Sequence, residues 1–171
     1  MSTVKSLYHI VINTKNREMT IPEESKRELY AYMYGIIKNS GCTLIRMNGI
    51  PNHIHLLVDL SSQLSLSQFM HNLKRSSSIW AKKRSDLFPD FVGWGKEYYA
   101  FSCSMGQKDA IVEYIKNQEA HHGVVPFDKE MGEMTTDNGC EFLCYVFDVE
   151  ELLMTALTPH SRHLRCRPMW G

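Results

Sequence analysis

The first apolar block, LYHIVIN at residues 7–13, is rich in β-branched side chains and reads as a strand. Behind it the period lengthens. Thr20 and Glu23 flank Pro22 in a capping-box arrangement, and Leu29, Met33, Ile36 and Ile37 form a helical stripe that ends at Asn39, Ser40 and Gly41. CTLIRMNGI, 42–50, then predicts a second strand, and the short turn of Pro51 and Asn52 leads straight into HIHLLVD, so these two strands are expected to pair as a hairpin. Ser65 and Gln68 predict another capping box, followed by Leu66, Phe69, Met70, Leu73 and Trp80 on one helical face that runs to about Arg84. A loop over 88–95, marked by Pro89, Gly93 and Gly95, precedes the strand-like EYYAFSCS. Ser104 with Gln107 caps a last helix, expected to run through DAIVEYIKNQEAHH and to stop at Gly123.

The predicted order is β-α-β-β-α-β-α. Its first six elements give an α+β fold of the ferredoxin-like, split βαββαβ kind: an antiparallel sheet with two helices on one face, plus an added C-terminal helix. The chain's 171 residues suit about one domain with a real core, expected over 1–126, followed by an atypical tail over 127–171.

One strand breaks the usual pattern. In strict alternation Ile54, Leu56 and Val58 share a core face of residues 53–59, while His53, His55, Leu57 and Asp59 share the other. That second face must meet something polar, a metal or a partner. Paired strand histidines are compatible with hydrogen-bonded structural residues as well as with metal ligands.

The added helix carries a second unusual feature. Ile111, Tyr114, Ile115 and Gln118 fall at i, i+3, i+4 and i+7 and form one inward stripe. Alone, this is also what an amphipathic core helix with a rim tyrosine looks like. Taken with the histidines it becomes more specific, because two imidazoles from a strand and a carboxamide from a helix supply three neutral ligands to a divalent cation. Such a cation keeps its full charge and suits a phosphate substrate, and Tyr114 lies one helical turn from Gln118. A phenol with a pKa of about 10 needs help to act as a nucleophile near neutral pH, and a metal–phosphate centre beside it provides that.

Composition changes the picture in three places. The formal net charge is zero, which on its face disfavours a nucleic-acid partner. The distribution differs: residues 1–126 hold 15 Lys and Arg against 11 Asp and Glu, and residues 127–171 hold 4 against 8, so an acidic tail conceals a basic body. The cysteines at 42, 103, 140, 144 and 166 are odd in number and lack zinc-knuckle spacing, and are read as reduced thiols. No apolar run approaches the ~20 residues of a membrane span, and MSTVKSLYHI lacks a secretory pattern, so a cytoplasmic, nucleoid-associated prokaryotic protein is expected.

PNHIHLLV resembles the histidine–hydrophobic–histidine (HUH) signature, and YIKNQ resembles the single-tyrosine motif, of the small IS200-like transposases and their repeat-associated tyrosine relatives. YHIVINTK is similar to that family's first strand, and the resemblance covers residues 1 to about 126. It implies that His53, His55 and Gln118 bind a divalent metal, Mg2+ or Mn2+, and that Tyr114 is the nucleophile. It further implies cleavage and rejoining of single-stranded DNA beside hairpins at element ends, through a 5′-phosphotyrosine. A homodimer with active sites completed in cis or in trans is implied as well. The absence of a Gly-rich phosphate loop agrees with chemistry that needs no ATP.

Three alternatives fit part of the pattern. A histidine-triad hydrolase needs a third histidine where Leu57 stands; a replication initiator or relaxase is usually larger; a domesticated hairpin-binding regulator would keep the fold without the chemistry. For DNA contacts, the 65–84 helix offers Lys74, Arg75, Lys82, Lys83 and Arg84 with no acidic residue, and Lys96 stands among Trp94, Tyr98 and Tyr99. His121 and His122 fit helix capping or a DNA-proximal position, with metal ligation the lesser option. From Phe127 onward the family pattern is lost, which leaves two readings: an extra helix near 149–157, or an altered end such as a frame change leaves.

Overall fold

The computed structural model describes residues 4–118 and 127–135. Four strands, β1 (Leu7–Asn13), β2 (Thr43–Ile50), β3 (His53–Asp59) and β4 (Tyr99–Cys103), form one antiparallel sheet in the order β2-β3-β1-β4. The helices are α1 (Lys26–Asn39), α2 (Leu66–Lys83) and α3 (Lys108–Lys116), with a short α4 at Phe127–Thr135. The fold is therefore α+β, a four-stranded antiparallel sheet whose helices α1 to α3 follow the predicted order, with α4 beyond them. No helix among the described residues is long and apolar enough to cross a membrane.

Strand alternation divides the interior into two cores. Ile10, Ile12, Ile54, Leu56 and Val58 project to the side where Leu29, Met33 and Ile37 of α1 meet Phe69, Met70 and Leu73 of α2. Val11 and Leu57 project to the opposite side, against Ile111, Tyr114 and Ile115 of α3 and Met131 and Met134 of α4. Both faces of the central strands are thus sealed, and the histidine face of β3 is roofed by the tyrosine helix. His53 is 1% exposed and His55 is fully buried.

The predicted hairpin forms as expected, with Ile50 opposite His53 across the Pro51 and Asn52 turn. So do two capping boxes. Ser65 Oγ accepts the Gln68 N–H at 3.2 Å while Gln68 Oε1 accepts the Ser65 N–H at 3.3 Å, and Ser104 and Gln107 repeat the arrangement before α3. The Thr20 and Glu23 box does not form. The Thr20 N–H bonds to the Pro51 carbonyl at 3.1 Å, which straps this segment over the hairpin turn and buries its side chain. Glu23 instead pairs with Lys26 at 2.6 Å, and the chain passes through a single 3-10 turn before α1 begins at Lys26. The last helix is also shorter than its pattern predicts. α3 ends at Lys116, where the Asn117 N–H turns back to the Glu113 and Tyr114 carbonyls, while Gly123, His121 and His122 lie outside the described residues, as does 149–157.

Close approach within the hairpin depends on Gly49. A Cβ at this position would fall on the His53 carbonyl oxygen and 2.7 Å from the Ile54 Cα, both backbone atoms that cannot step aside. The Gly49→Ala protein should therefore lose about 1–3 kcal/mol, the usual cost of overpacking. Urea denaturation at neutral pH measures this, and an unchanged midpoint would show that the hairpin tolerates the extra carbon.

Candidate functional site

Pairing register assembles the site. On the face beneath α3, Asn13 stands opposite His53, Val11 opposite His55 and His9 opposite Leu57. His9 and His55 are therefore diagonal neighbours across the two central strands, close enough for long side chains to touch. Their rings stack at 5.2 Å between centroids, and His9 Nε2 is hydrogen-bonded to His55 Nδ1 at 3.0 Å. The His53 ring lies 5.0 Å from that of His55, and its Nδ1 is 2.7 Å from Asn52 Oδ1.

Tyr114 descends on this group from α3. Its ring meets His55 at 5.7 Å and His9 at 5.8 Å, edge-on to both, and Phe101 of β4 closes the far side of His9 at 6.1 Å. The apolar stripe of α3 supplies the packing that holds the phenol here, since Ile111 and Ile115 on either side of it are fully buried. At the end of the helix, Asn48 of β2 donates its Nδ2–H to the Lys116 carbonyl at 3.1 Å. That bond ties the sheet to the segment between Tyr114 and Gln118.

Gln118 is fully buried, and neither its Oε1 nor its Nε2 has a hydrogen-bond partner among the described residues. Asn13 Oδ1, beside His53 on the same face, is likewise buried without one. An unsatisfied buried carboxamide costs about 1–3 kcal/mol, so a group that repeats this arrangement invites a missing partner. Among the described residues no three His, Cys, Asp or Glu side chains are grouped to hold a metal ion. Gln118 offers a donor of another type. Two neutral imidazoles and a carboxamide oxygen fit a divalent cation that keeps open positions for oxygen ligands.

Burial pushes the pKa of His9 from 6.5 down to about 4, so this imidazole is neutral near pH 7. His9 was absent from the sequence-based site, as were Asn13 and Asn52. Only the register of β1 on β3 brings His9 to the histidine pair, and nothing in YHIVIN announces it.

The matched family model is that of the IS200-like transposases, and it spans residues 2–118, from before β1 to the buried glutamine. The chain belongs to the IS200-like transposase family. It is 28% identical over 116 residues to the transposase of insertion sequence IS200 from Salmonella typhimurium, covering 65% of this chain and 75% of that one. It is 25% identical over 118 residues to the ISDra2 transposase TnpA of Deinococcus radiodurans, covering 65% and 82%. Its fold is shared with a REP-associated tyrosine transposase solved bound to a REP hairpin, at a TM-score of 0.56 and 14% identity over 73% of each chain.

For this family member the basic residues of α2 lie apart from the histidines, because α2 packs on the opposite face of the sheet. Arg75, Lys82, Lys83 and Lys96 are exposed. Lys74 is half-buried, donates to the Lys96 and Glu97 carbonyls at 3.0 and 3.1 Å, and sits over the Tyr98 ring. Arg84 pairs with Asp86 and stacks on Trp80. Trp94 donates its indole N–H to Ser77 and packs on Phe91, so it belongs to the core on the α2 side; Tyr98 joins that core and Tyr99 the other.

Replacing Gln118 with Met keeps the length of the side chain and removes the two orphaned atoms. Thermal unfolding in chelator should show the Gln118→Met protein at least as stable as the parent. With Mn2+ added, the parent's midpoint should rise and the variant's should not. A variant that responds to Mn2+ like the parent would exclude Gln118 as a ligand.

Proposed function

We propose that this chain is a metal-dependent strand transferase that cleaves and rejoins single-stranded DNA beside hairpins at the ends of a mobile element. The observation that carries the reading is the meeting of Tyr114 with the imidazoles of His55 and His9 inside one chain, with a buried carboxamide at Gln118. A purely structural core would fill these positions with apolar side chains and avoid desolvating so many polar atoms.

In this reading the ferredoxin-like βαββαβ scaffold and α3 form the catalytic domain, and residues from 127 onward are an appendage. His53, His55 and Gln118 would hold a divalent cation, Mg2+ or Mn2+, which would supply charge neutralisation at the phosphate. Tyr114 is the nucleophile. Its oxygen forms a bond to phosphorus as the bond from phosphorus to the 3′ oxygen breaks, leaving a 5′-phosphotyrosine and a free 3′-hydroxyl. In net terms the phenolic proton passes to the departing 3′ oxygen. Another 3′-hydroxyl reverses the step, and no bond energy is lost on the way, so no nucleotide hydrolysis is needed. The α3 helix keeps the phenol in an apolar surround that excludes competing water.

The REP hairpin in the solved relative makes a DNA hairpin the expected partner. The exposed Arg75, Lys82, Lys83 and Lys96 are available to backbone phosphates, with Lys74 and Arg84 in supporting positions. A homodimer is expected, with active sites completed in cis or in trans; the intrachain contact of Tyr114 with the His9 and His55 rings supports the cis arrangement.

The test uses single-stranded DNA from the element's own ends with Mn2+ or Mg2+. A covalent protein–DNA adduct should form, more of it with Mn2+ than with Mg2+ at equal concentration, given imidazole ligands. Tyr114→Phe should abolish the adduct and retain the hairpin gel shift. An adduct that persists in Tyr114→Phe names the wrong nucleophile, and a gel shift with no adduct in the parent identifies a DNA-binding regulator instead.

A further inference from the structure

We propose that His9 is a positioning residue for His55, accepting the His55 Nδ1–H on its own Nε2 and so fixing the tautomer in which His55 Nε2 carries the lone pair. Asn52 does the same for His53. This rests on the two strand histidines being the metal ligands of the function proposed above.

The chemistry is set by what each partner can accept. A neutral imidazole has one N–H and one lone pair, and the nitrogen that engages an acceptor carries the hydrogen. Asn52 Oδ1 is an acceptor only, so at 2.7 Å it requires hydrogen on His53 Nδ1 and leaves Nε2 basic. The main chain at Asn52 is itself held, because its main-chain carbonyl accepts the Thr14 N–H at 2.9 Å. Both strand histidines thus use the same nitrogen, Nδ1, for a protein contact. In that tautomer the lone pair of each ring is on Nε2. A common choice of nitrogen on alternate residues of one strand is what a shared ligand requires, and metal-bound histidines regularly donate their other N–H to a protein acceptor.

The surroundings of His9 argue against a packing role. It is 2% exposed, among Phe101, Tyr114, Val11 and Leu57, where a leucine or phenylalanine would pack with no polar atom to satisfy. Nor do His9, His53 and His55 form a three-ligand group, so His9 stands behind the site rather than in it.

Two variants of the full chain separate the readings. Glutamine can place an acceptor near the position of His9 Nε2, whereas phenylalanine is a slightly larger ring that offers none. Titration with Mn2+ alone, followed by electron paramagnetic resonance, should show binding weakened about 10–100-fold in His9→Phe. His9→Gln should recover most of that loss. Nitrogen-15 NMR of the imidazoles in the metal-free parent at pH 7.5 should find hydrogen on Nδ1 of both His53 and His55, and a mixed or Nε2–H form of His55 in His9→Phe.

Parent-like Mn2+ affinity in a folded His9→Phe would overturn the proposal, and so would an Nε2–H tautomer of His55 in the parent. If His9→Phe fails to fold, the parent's tautomer and the His9→Gln titration decide. A parent that binds no Mn2+ while His55 holds its Nδ1–H against His9 refutes the metal reading and leaves the positioning contact standing.

Discussion

A polar side chain sealed from water has to find its partners inside the protein, and the second face of this sheet is sealed. His9 and His55 are buried under α3 with Tyr114 pressed edge-on against the two imidazole rings, and Gln118 is buried just past the end of that helix. That constraint orders everything around it. It explains why the tyrosine helix carries apolar residues on both sides of the phenol and why His55 is hydrogen-bonded to His9 and His53 to Asn52.

The sheet supplies the precision that such a group requires. β3 and β1 are the two central strands, so His53, His55 and His9 stand on backbone that is hydrogen-bonded along both edges. The hairpin turn is strapped from outside by the Thr14, Thr20 and Ile21 N–H groups, which bond to the carbonyls of Pro51 and Asn52. Asn48 then links β2 to the end of α3. Sites on strands are held more tightly than sites on loops, and in the proposed reaction that rigidity would fix the histidines against the phosphate.

Much of this was legible in the chain because it is local. The alternation of HIHLLVD marks a polar face on a buried strand, and the i, i+3, i+4 stripe on α3 puts Ile111, Tyr114 and Ile115 on one seam, with Gln118 just past its end. What escaped was set by contacts distant in sequence. His9 joins the site only through the pairing of β1 with β3, a register that LYHIVIN does not encode by itself. The Thr20 and Glu23 capping pattern was overridden by the Pro51 carbonyl, to which Thr20 gives its N–H. The basic stretch of α2 is plain in sequence, but the face of the sheet on which it lies is a property of the topology. Met131 and Met134 of α4 pack into the same core as Tyr114, although they lie beyond the family-matched residues.

The account turns on one cation shared by two strand nitrogens and one helix oxygen. Diffraction from crystals grown with Mn2+, recorded at the manganese absorption edge, tests it most directly. The account predicts a single strong anomalous peak within bonding distance of His53 Nε2, His55 Nε2 and Gln118 Oε1. A peak bound through Nδ1 of either histidine, or no peak between the strand and the helix at saturating Mn2+, would contradict it.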